Sequence, residues 1–537
     1  MRSYALLSAF GIIASPVLAQ FAPLPAPTLN QRVAPRAAWT AVTSAGLTAT
    51  GSTFRCDNMG AASQSKMYVF GGCLDNNTAN TKNDLYEFDP IAGTFTMIND
   101  GATGPAPHAR GRASVAWNPL SQRLVVYGGD NRNTGPLPIN TYLGDIWEYD
   151  PATNAWTDVT PASGPAPAPR RWASMAFEPN LGGMLMFGGD TGAGALQVNN
   201  ETWLFLGGQW IPFSPANVPP ARRMASLMTR PDFNDVIMVG GDDSSLLNGF
   251  TEPYRHLDVW TWNGGDWARI SNYDWATSTG TFPASAFANQ AVYDPLRKRV
   301  VMQGGQGIAA NTATNVNYVF GTTVYNGSPT NYTSEFDCLT NTWHIYGNPT
   351  TGTTPYNNND PVLGRISRFF AAYIPATGKI YKSGGQNPAA SGSRPAYNVY
   401  AYAPTTAAAA TTLGAGCNGL ALTNDQLPWT SRTVTATATG FGPASFGFGV
   451  IGFGTQSTPL SLLHPAGQPG CDLLVSTDVT NLLLPVGGSA TMTVSLPADP
   501  AFAGLALNLQ AVELELSGGG IAAIRSTNGL SLTIGAL

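Results

Sequence analysis

Charged residues are scarce in this chain of 537 residues: Asp, Glu, Lys and Arg together make up 11% of it. The formal net charge of −5 at pH 7 argues against nucleic acid or an anionic membrane surface as a partner. The four histidines are scattered, and neither a His-Glu-x-x-His nor a Cys-x-x-Cys motif occurs. The sequence therefore predicts no metal site and no cofactor.

Motifs of common enzyme classes are missing as well. There is no Gly-x-Ser-x-Gly elbow, no phosphate loop or dinucleotide fingerprint between a strand and a helix, and no Ser-x-Asp-x-Gly-x-Thr-Trp box. These absences favour a binding protein over an enzyme.

Long apolar runs are absent beyond the N-terminus, so no membrane span of about eighteen residues is predicted. The N-terminal region has a positive charge at Arg2, an apolar stretch over residues 4–14 and a small-residue site ending at Ala19. This pattern is typical of a secretory signal. We expect a signal peptide at 1–19, a Pro-rich segment at 20–36, and a mature protein that is secreted, periplasmic or on the cell surface.

Glycine is abundant, with 60 residues, and six Gly-Gly doublets recur along the chain. The last five have a proline nine positions before the first glycine, which indicates a repeated supersecondary unit. The doublets are Gly71-Gly72, Gly128-Gly129, Gly188-Gly189, Gly240-Gly241, Gly304-Gly305 and Gly384-Gly385. The glycines allow a positive φ or a close backbone approach.

Each doublet follows a short apolar or aromatic segment that indicates a strand, such as 124–127. One more short strand precedes it, as in 113–117. Two aromatic segments follow it, as in 145–149 and around Trp156. The pattern predicts four strands per repeat.

The doublet, the Tyr or Trp strand and the spaced Trp together resemble the Kelch motif. The resemblance covers roughly residues 37–410 and implies a β-propeller. The sixth repeat lacks its fourth strand, and Ala37–Val42 resembles the fourth strand at 154–159. We infer that this N-terminal strand completes the last blade and removes exposed edges. The prediction is an all-β, six-bladed Kelch-type propeller closed by an N-terminal strand; a seventh, degenerate blade is the alternative.

Residues 413–537 alternate short apolar strands with Gly, Pro, Asn and Thr turns, which predicts a C-terminal β-sandwich. The motifs Gly414-Ala-Gly-Cys417, Gly470-Cys471 and Ser526-Thr-Asn-Gly-Leu530 resemble a C-terminal module of exported planctomycete-type proteins. The module could be a stalk, a sorting element, a carbohydrate-binding domain or a passive accessory domain.

Five cysteines in an exported chain suggest disulfides. Cys56 and Cys73 lie at nearly equal distances from the turn between the first two strands of the first repeat, so we expect them to face each other. Cys417 and Cys471 form the second predicted pair. Cys338 is left over, and we expect a buried or unpaired thiol.

Arginines recur ahead of the innermost strand. Arg110, Arg170 and Arg222 stand eighteen residues before a doublet, and Arg171 and Arg223 follow one place later. In Kelch propellers this position lies near the mouth of the central channel. Guanidinium groups there could bind carboxylates or sulfates of a ligand, or each could pair with an acidic residue of the neighbouring blade.

Acidic residues follow three of the doublets: Asp130, Asp190 and Asp242. An aspartate in a glycine turn often caps backbone N–H groups. The functional alternative is binding of calcium or sugar hydroxyls on the loop face.

These observations predict a secreted, non-catalytic protein that uses a propeller face to bind an extracellular protein or glycan. The alternative is a secreted carbohydrate-active enzyme, either a glycan hydrolase or lyase or a copper oxidase resembling galactose oxidase. Such an oxidase would need two His and two Tyr ligands with a Cys beside one Tyr, and no adjacent Tyr-His pair stands in this sequence.

Overall fold

The computed structural model describes most of the chain from residue 37 onward. The described residues are 37–42, 55–56, 59–74, 81–132, 137, 141–192, 197–243, 256, 258–271, 290–304, 318–320, 323–325, 333–346, 369–383 and 399–537. The predicted signal peptide, the Pro-rich segment and the doublet Gly384-Gly385 lie outside them. Within these ranges, no helix reaches the length and apolar character needed to cross a membrane.

The chain divides into two compact units, one formed mainly by residues 39–402 and the other mainly by residues 403–537. In the described part of the first unit, six antiparallel sheets have four strands each, which we number 1 to 6 along the chain. The all-β class and the four strands per repeat are thus confirmed. Their strands are Met59–Ala62, Met67–Phe70, Leu85–Asp89 and Thr94–Asn99 in sheet 1; Ser114–Asn118, Arg123–Tyr127, Ile146–Asp150 and Ala155–Asp158 in sheet 2; Ser174–Glu178, Gly183–Phe187, Thr202–Leu206 and Gln209–Phe213 in sheet 3; Ser226–Arg230, Asp235–Val239, Val259–Trp262 and Trp267–Arg269 in sheet 4; Val292–Asp294, Arg299–Gln303, Thr333–Asp337 and Thr342–Tyr346 in sheet 5; and Phe370–Ile374, Lys379–Ser383, Val399–Pro404 and Ala37–Val42 in sheet 6.

Three two-stranded ribbons accompany these sheets. They are Arg55–Cys56 with Cys73–Leu74, Asp130–Asn131 with Thr141–Tyr142, and Tyr318–Phe320 with Thr323–Tyr325. Cys56 and Cys73 stand directly opposite each other in the first ribbon. A disulfide between them stays a prediction.

The first strands of the six sheets form a closed circuit of contacts. Each contacts the first strand of the next sheet, and Phe370–Ile374 of sheet 6 contacts Met59–Ala62 of sheet 1. The apolar second strands are buried, as in Leu124–Tyr127 and Met184–Phe187. Aromatic and aliphatic side chains of adjacent sheets therefore pack together and form the core of this unit.

The N-terminal strand Ala37–Val42 pairs with Val399–Pro404 in sheet 6. The Trp39 ring packs 4.8 Å from that of Tyr402, and the Thr40 hydroxyl donates to the Ala401 carbonyl at 3.4 Å. The Trp39 indole N–H also donates to Thr333 Oγ1 at 3.1 Å. Sheet 6 thus takes its fourth strand from the other end of the unit.

The Gly-Gly doublets mark where two sheets touch. A Cβ on Gly128, whose φ is +65°, would lie 2.5 Å from the carbonyl oxygen of Arg170, and one on Gly188 would lie 2.3 Å from that of Arg222. The next residue, Gly129, donates its N–H to Arg170 at 2.8 Å. The close backbone approach predicted from the doublets is confirmed, and only glycine fits it.

The second unit holds two main sheets that share an apolar core. This core takes Leu509 and Leu532 from one sheet and Val434 and Met492 from the other. The first sheet contains Ala409–Leu413, Gly529–Thr533, Ala506–Ser517, Ser445–Gly452 and Val479–Leu483, with Gly520–Ser526 paired to Ala506–Ser517; the second contains Ala421–Asn424, Thr433–Thr439 and Ser489–Ser495. Thr455–Pro459 pairs with Asp472–Val475, a short helix spans Leu460–Leu463, and a 3-10 turn spans Pro500–Phe502.

Ala409–Leu413 is a strand although the sequence predicts no strand there for the sixth repeat. It pairs with Gly529–Thr533 near the C-terminus instead. The boundary predicted at residue 410 therefore falls inside a strand of the second unit, because the partner of this segment lies far along the chain.

Two cysteine predictions can be compared directly with this structure. Cys417 and Cys471 form a disulfide, as predicted. Cys338 is a free cysteine with a buried side chain, and burial raises the pKa of its thiol to about 11. The thiol is therefore protonated and unreactive at neutral pH.

Candidate functional site

The two ends of the first unit differ in how the strands are connected. Because each sheet is an antiparallel meander, the connection after its second strand and the connection to the next sheet leave from the same end. The second strands of sheets 2, 4 and 5 end here, at Tyr127, Val239 and Gln303, and 18, 19 and 29 residues of sequence separate them from the third strands of their sheets. We call this end the loop face. The opposite end, the turn face, carries four-residue turns such as 119–122 and 179–182.

Arg110 joins the segments that flank three strands of sheet 2 at the loop face. Its Nη1 donates to the carbonyl of Gly128 at 3.0 Å, and Nη1 and Nη2 each donate to Asp145 at 2.7 Å. Arg170 and Arg222 repeat the arrangement in sheets 3 and 4, with Gly188 and Glu201 and with Gly240 and Asp258 as their acceptors. Burial alone would raise the pKa of Asp258, but the charge of Arg222 outweighs burial and holds that pKa well below its usual range.

These three arginines are predicted ligand-binding residues, and the structure places them inside the protein. The side chains of Arg110, Arg170 and Arg222 are 0% exposed. Their acidic partners belong to their own sheet rather than to the neighbouring one, whereas their main chains contact the preceding sheet: Gly72 donates its N–H to Arg110 at 3.0 Å. Each arginine therefore connects two sheets, and we do not carry these three into a binding surface.

Asp130 and Asp190 are buried at the loop face and surrounded by arginine. Asp130 Oδ2 accepts from Arg112 at 2.9 Å, from Arg132 at 2.8 Å and from Arg171 at 3.1 Å. Asp190 Oδ2 accepts from Arg171 at 3.0 Å. Arg171 thereby connects two repeats, since Asp130 follows the second strand of sheet 2 and Asp190 follows the second strand of sheet 3.

The same network continues into sheet 4. The guanidinium of Arg223 lies 3.3 Å from Asp242 and 3.8 Å from Asp190. Asp190 also accepts from the Gly192 N–H at 3.0 Å, which is the backbone capping expected of an aspartate after a doublet. The structure thus brings Arg171, Arg223 and the three predicted aspartates together.

Trp172 lies at the centre of this network, and the sequence analysis did not single it out. The guanidinium carbons of Arg112, Arg171 and Arg223 lie 4.8, 4.4 and 4.5 Å from its ring centroid. Its φ of +56° is strained for a tryptophan, and its N–H donates to the Arg112 carbonyl at 2.8 Å. The equivalent residues of the neighbouring repeats, Arg112 and Met224, also have a positive φ, but this backbone conformation is visible only in the structure.

Calcium would have to compete with arginine for the carboxylate oxygens of these aspartates. Arginine nitrogens already occupy the Oδ2 atoms of Asp130, Asp190 and Asp242. Across the described ranges, no group of three or more His, Cys, Asp or Glu side chains is arranged to hold a metal ion. The arrangement instead presents cationic groups with an aromatic ring, since the side chains of Arg171 and Arg223 are both 11% exposed and Trp172 is half-buried.

Comparison with known proteins agrees with the repeat assignment. Residues 58–305 match the family model described as the KLHDC2/KLHL20/DRC7 Kelch-repeats domain. Kelch domain-containing protein 3 of Homo sapiens is 27% identical over 198 residues, which is 36% of this chain and 49% of that protein. The Dynein alpha chain, flagellar outer arm, of Chlamydomonas reinhardtii is 30% identical over 152 residues, which is 27% of this chain and 3% of that protein.

Among solved structures, one described as "Structure of YjhT" is 15% identical with a TM-score of 0.42, and the match covers 65% of this chain and 94% of that one. The chain spans about half or less of the two curated relatives. The family match over residues 58–305 and the human relative are thus both similarities to Kelch-repeat proteins.

Proposed function

We propose that this chain is an exported protein-binding scaffold, and that the loop face of its Kelch propeller binds an acidic segment of a partner protein. The observation that carries the proposal is the location of Arg171, Arg223 and Trp172 on the loop face, the end from which the long connections leave. Binding residues are concentrated on loops that a rigid scaffold holds in position. A Kelch-repeat relationship also favours a protein partner.

Charge is the reason for an acidic segment. The network contains four guanidinium groups, those of Arg112, Arg132, Arg171 and Arg223, and three carboxylates, those of Asp130, Asp190 and Asp242. A local excess of positive charge favours a carboxylate from a partner, and an arginine fork can bind it through two parallel hydrogen bonds. The Trp172 ring adds apolar contact area beside these charges.

The proposal includes six blades, ring closure by Ala37–Val42 and a C-terminal β-sandwich. The closed circuit of contacts among the first strands supports six blades. The packing of Trp39 on Tyr402 supports closure. The shared apolar core of the two sheets in the second unit supports the sandwich. Export rests on the sequence pattern of residues 1–19, and so does placement outside the cytoplasm.

Selection of peptides by the purified full chain tests this function. A random peptide display library is panned against the immobilised protein, and the affinity of one enriched peptide is measured by fluorescence anisotropy. We expect enrichment of Asp and Glu, and an affinity loss of about tenfold in Arg223→Gln, because a hydrogen bond to a charged group contributes about 1.5–3 kcal/mol.

Arg123→Gln is the matched control. Arg123 also pairs with a carboxylate, that of Glu148 at 2.9 Å, but it starts the second strand of sheet 2 at the turn face. It should leave the peptide affinity unchanged. Recovery of no acidic peptides, or equal affinity of the Arg223→Gln variant at an unchanged Tm, would contradict the proposal.

A further inference from the structure

A cavity opens along the axis of the first unit, away from the arginine network. It has a volume of about 580 Å³, and the first strands of all six sheets line it. That size falls within the range of about 300–1,000 Å³ that small-molecule sites occupy. Its lining includes residues of the turns at 63–66, 119–122 and 375–378, so the cavity belongs to the turn face.

The side chains that line the cavity change from small to aromatic towards the turn face. At the middle of the first strands the layer consists of Ala61, Ala116, Ala176, Met228, Val292 and Ala372. One residue closer to the turns it consists of Ala62, Trp117, Phe177, Thr229, Tyr293 and Tyr373. Four aromatic residues thus line the cavity near its opening: Phe177 and Tyr293 are buried in the packing between sheets, while Trp117 and Tyr373 are half-buried.

The polar groups of the lining are uncharged. Among the described residues that line the cavity there is no Asp, Glu, Lys, Arg or His. The side-chain amides of Gln64 and Gln290 and the hydroxyl of Tyr373 make no hydrogen bond to other described residues, whereas Thr229 donates to the Phe177 carbonyl at 2.6 Å. Burial raises the pKa of Tyr373 to about 12, so its hydroxyl is neutral and can donate at pH 7.

We propose that this cavity binds a neutral saccharide. A charged ligand would lose its hydration without gaining a counter-charge, which is strongly unfavourable. A wholly apolar ligand would cover the groups of Gln64, Gln290 and Tyr373 and leave them without partners. A neutral sugar satisfies both conditions, because its C–H faces pack on aromatic rings while its hydroxyls bond the amides and the phenol.

This site is independent of the proposed protein-binding function. The cavity lies at the turn face, and the arginine network lies at the loop face, so either site can fail without the other. An aromatic peptide side chain is the competing occupant, and an array experiment distinguishes it from a sugar.

The test uses the full-length protein on an array of neutral and anionic glycans, followed by titration calorimetry with the best neutral oligosaccharide. We expect binding to neutral glycans alone. Tyr373→Phe, which keeps the ring and removes one hydroxyl, and Gln64→Leu should each weaken binding about fivefold to tenfold. Tyr142→Phe is the matched control: Tyr142 lies against Arg171 at the loop face, 4.9 Å from its guanidinium carbon, and its variant should bind like the wild type.

Four outcomes would overturn the inference. The first is the absence of any neutral glycan bound at millimolar concentration, and the second is preference for anionic glycans. The third is unchanged affinity in both cavity variants at an unchanged Tm, which would place the sugar elsewhere. The fourth is competition by an uncharged aromatic peptide but not by any sugar, which would assign the cavity to a protein ligand.

Discussion

Glu335 is the residue whose removal most directly tests how sheets 5 and 6 are held together. It is 1% exposed and accepts from Arg297 at 2.6 Å, from Arg299 at 2.6 Å and from the Tyr402 hydroxyl at 2.8 Å. Glu335→Gln replaces one carboxylate oxygen with an NH₂ group that faces a guanidinium donor. The carboxylates left to the two buried arginines are then Asp294, which is 2.7 Å from Arg297, and Asp337, which is 3.4 Å from Arg299.

The expected loss of stability can be worked out in two ways. Breaking a buried ion pair on one side costs about 3–5 kcal/mol. The pKa of Glu335 provides the second way. Burial alone would raise this pKa, but Arg297 and Arg299 outweigh burial and lower it to about 2. Against about 4.3 for an exposed glutamate, that difference corresponds to about 3 kcal/mol.

The pH dependence has a definite sign. A carboxylate with a lowered pKa in the folded state stabilises the protein fully above its unfolded pKa of about 4.3, and this stabilisation is lost as the pH falls towards about 2. The free energy of unfolding of the wild type should therefore fall over this window. The difference between the wild type and Glu335→Gln should shrink over the same window.

Urea unfolding followed by tryptophan fluorescence is the suitable assay. Trp429 is the single tryptophan after residue 403 of the 13 in the chain, so fluorescence reports mainly on the first unit. Glu148→Gln is the control: its partner Arg123 is 37% exposed, and such pairs contribute below about 1 kcal/mol. Our reasoning would be refuted if both variants lost equal stability, or if the Glu335→Gln difference were the same at pH 7 and pH 3.

Three further predictions concern the backbone, the disulfide and ring closure. Gly128→Ala should lower the free energy of unfolding by more than about 2 kcal/mol, because the new Cβ would lie 2.5 Å from a carbonyl oxygen. Gly207→Ala also has a positive φ but open space around it, so it should lower this free energy by about 1 kcal/mol. Urea unfolding compares the two variants. Replacing Cys417 and Cys471 by serine should lower the unfolding free energy of the second unit by about 4 kcal/mol, since the disulfide closes a loop of 54 residues, and circular dichroism under denaturant measures this. Because Trp39 is half-buried, Trp39→Ala should lower the free energy of unfolding of the first unit by about 1–3 kcal/mol. Equal protease resistance of the variant and the wild type would contradict the role of the N-terminal strand.

Local pattern was enough to predict the repeated sheets. Apolar four-residue segments and Gly-Gly doublets recur at fixed spacing, and both depend on interactions that each repeat makes in the same way. The doublets were predictable because a residue with φ near +65° beside a carbonyl at 2.5 Å must be glycine. The partner of Ala37–Val42 was predictable too, since the last repeat lacks one strand.

The roles of the arginines were not predictable, because burial depends on neighbours that the sequence does not bring together. Arg110 and Arg171 occupy nearly equivalent positions in successive repeats. The side chain of Arg110 is 0% exposed and pairs with a residue of its own repeat, whereas that of Arg171 is 11% exposed and connects two repeats. Strand Ala409–Leu413 was missed for the same reason, since its partner Gly529–Thr533 lies over a hundred residues away.

By itself, the sequence determined the strands, their grouping into repeats and the positions where only glycine fits, because these follow from periodicity and from the conformational limits of single residues. Tertiary structure alone decided which charges are buried, which ring stands among the arginines and that six first strands line one cavity whose described lining residues carry no charge. Solvent exposure and enclosed volume arise only when segments from distant repeats pack against one another.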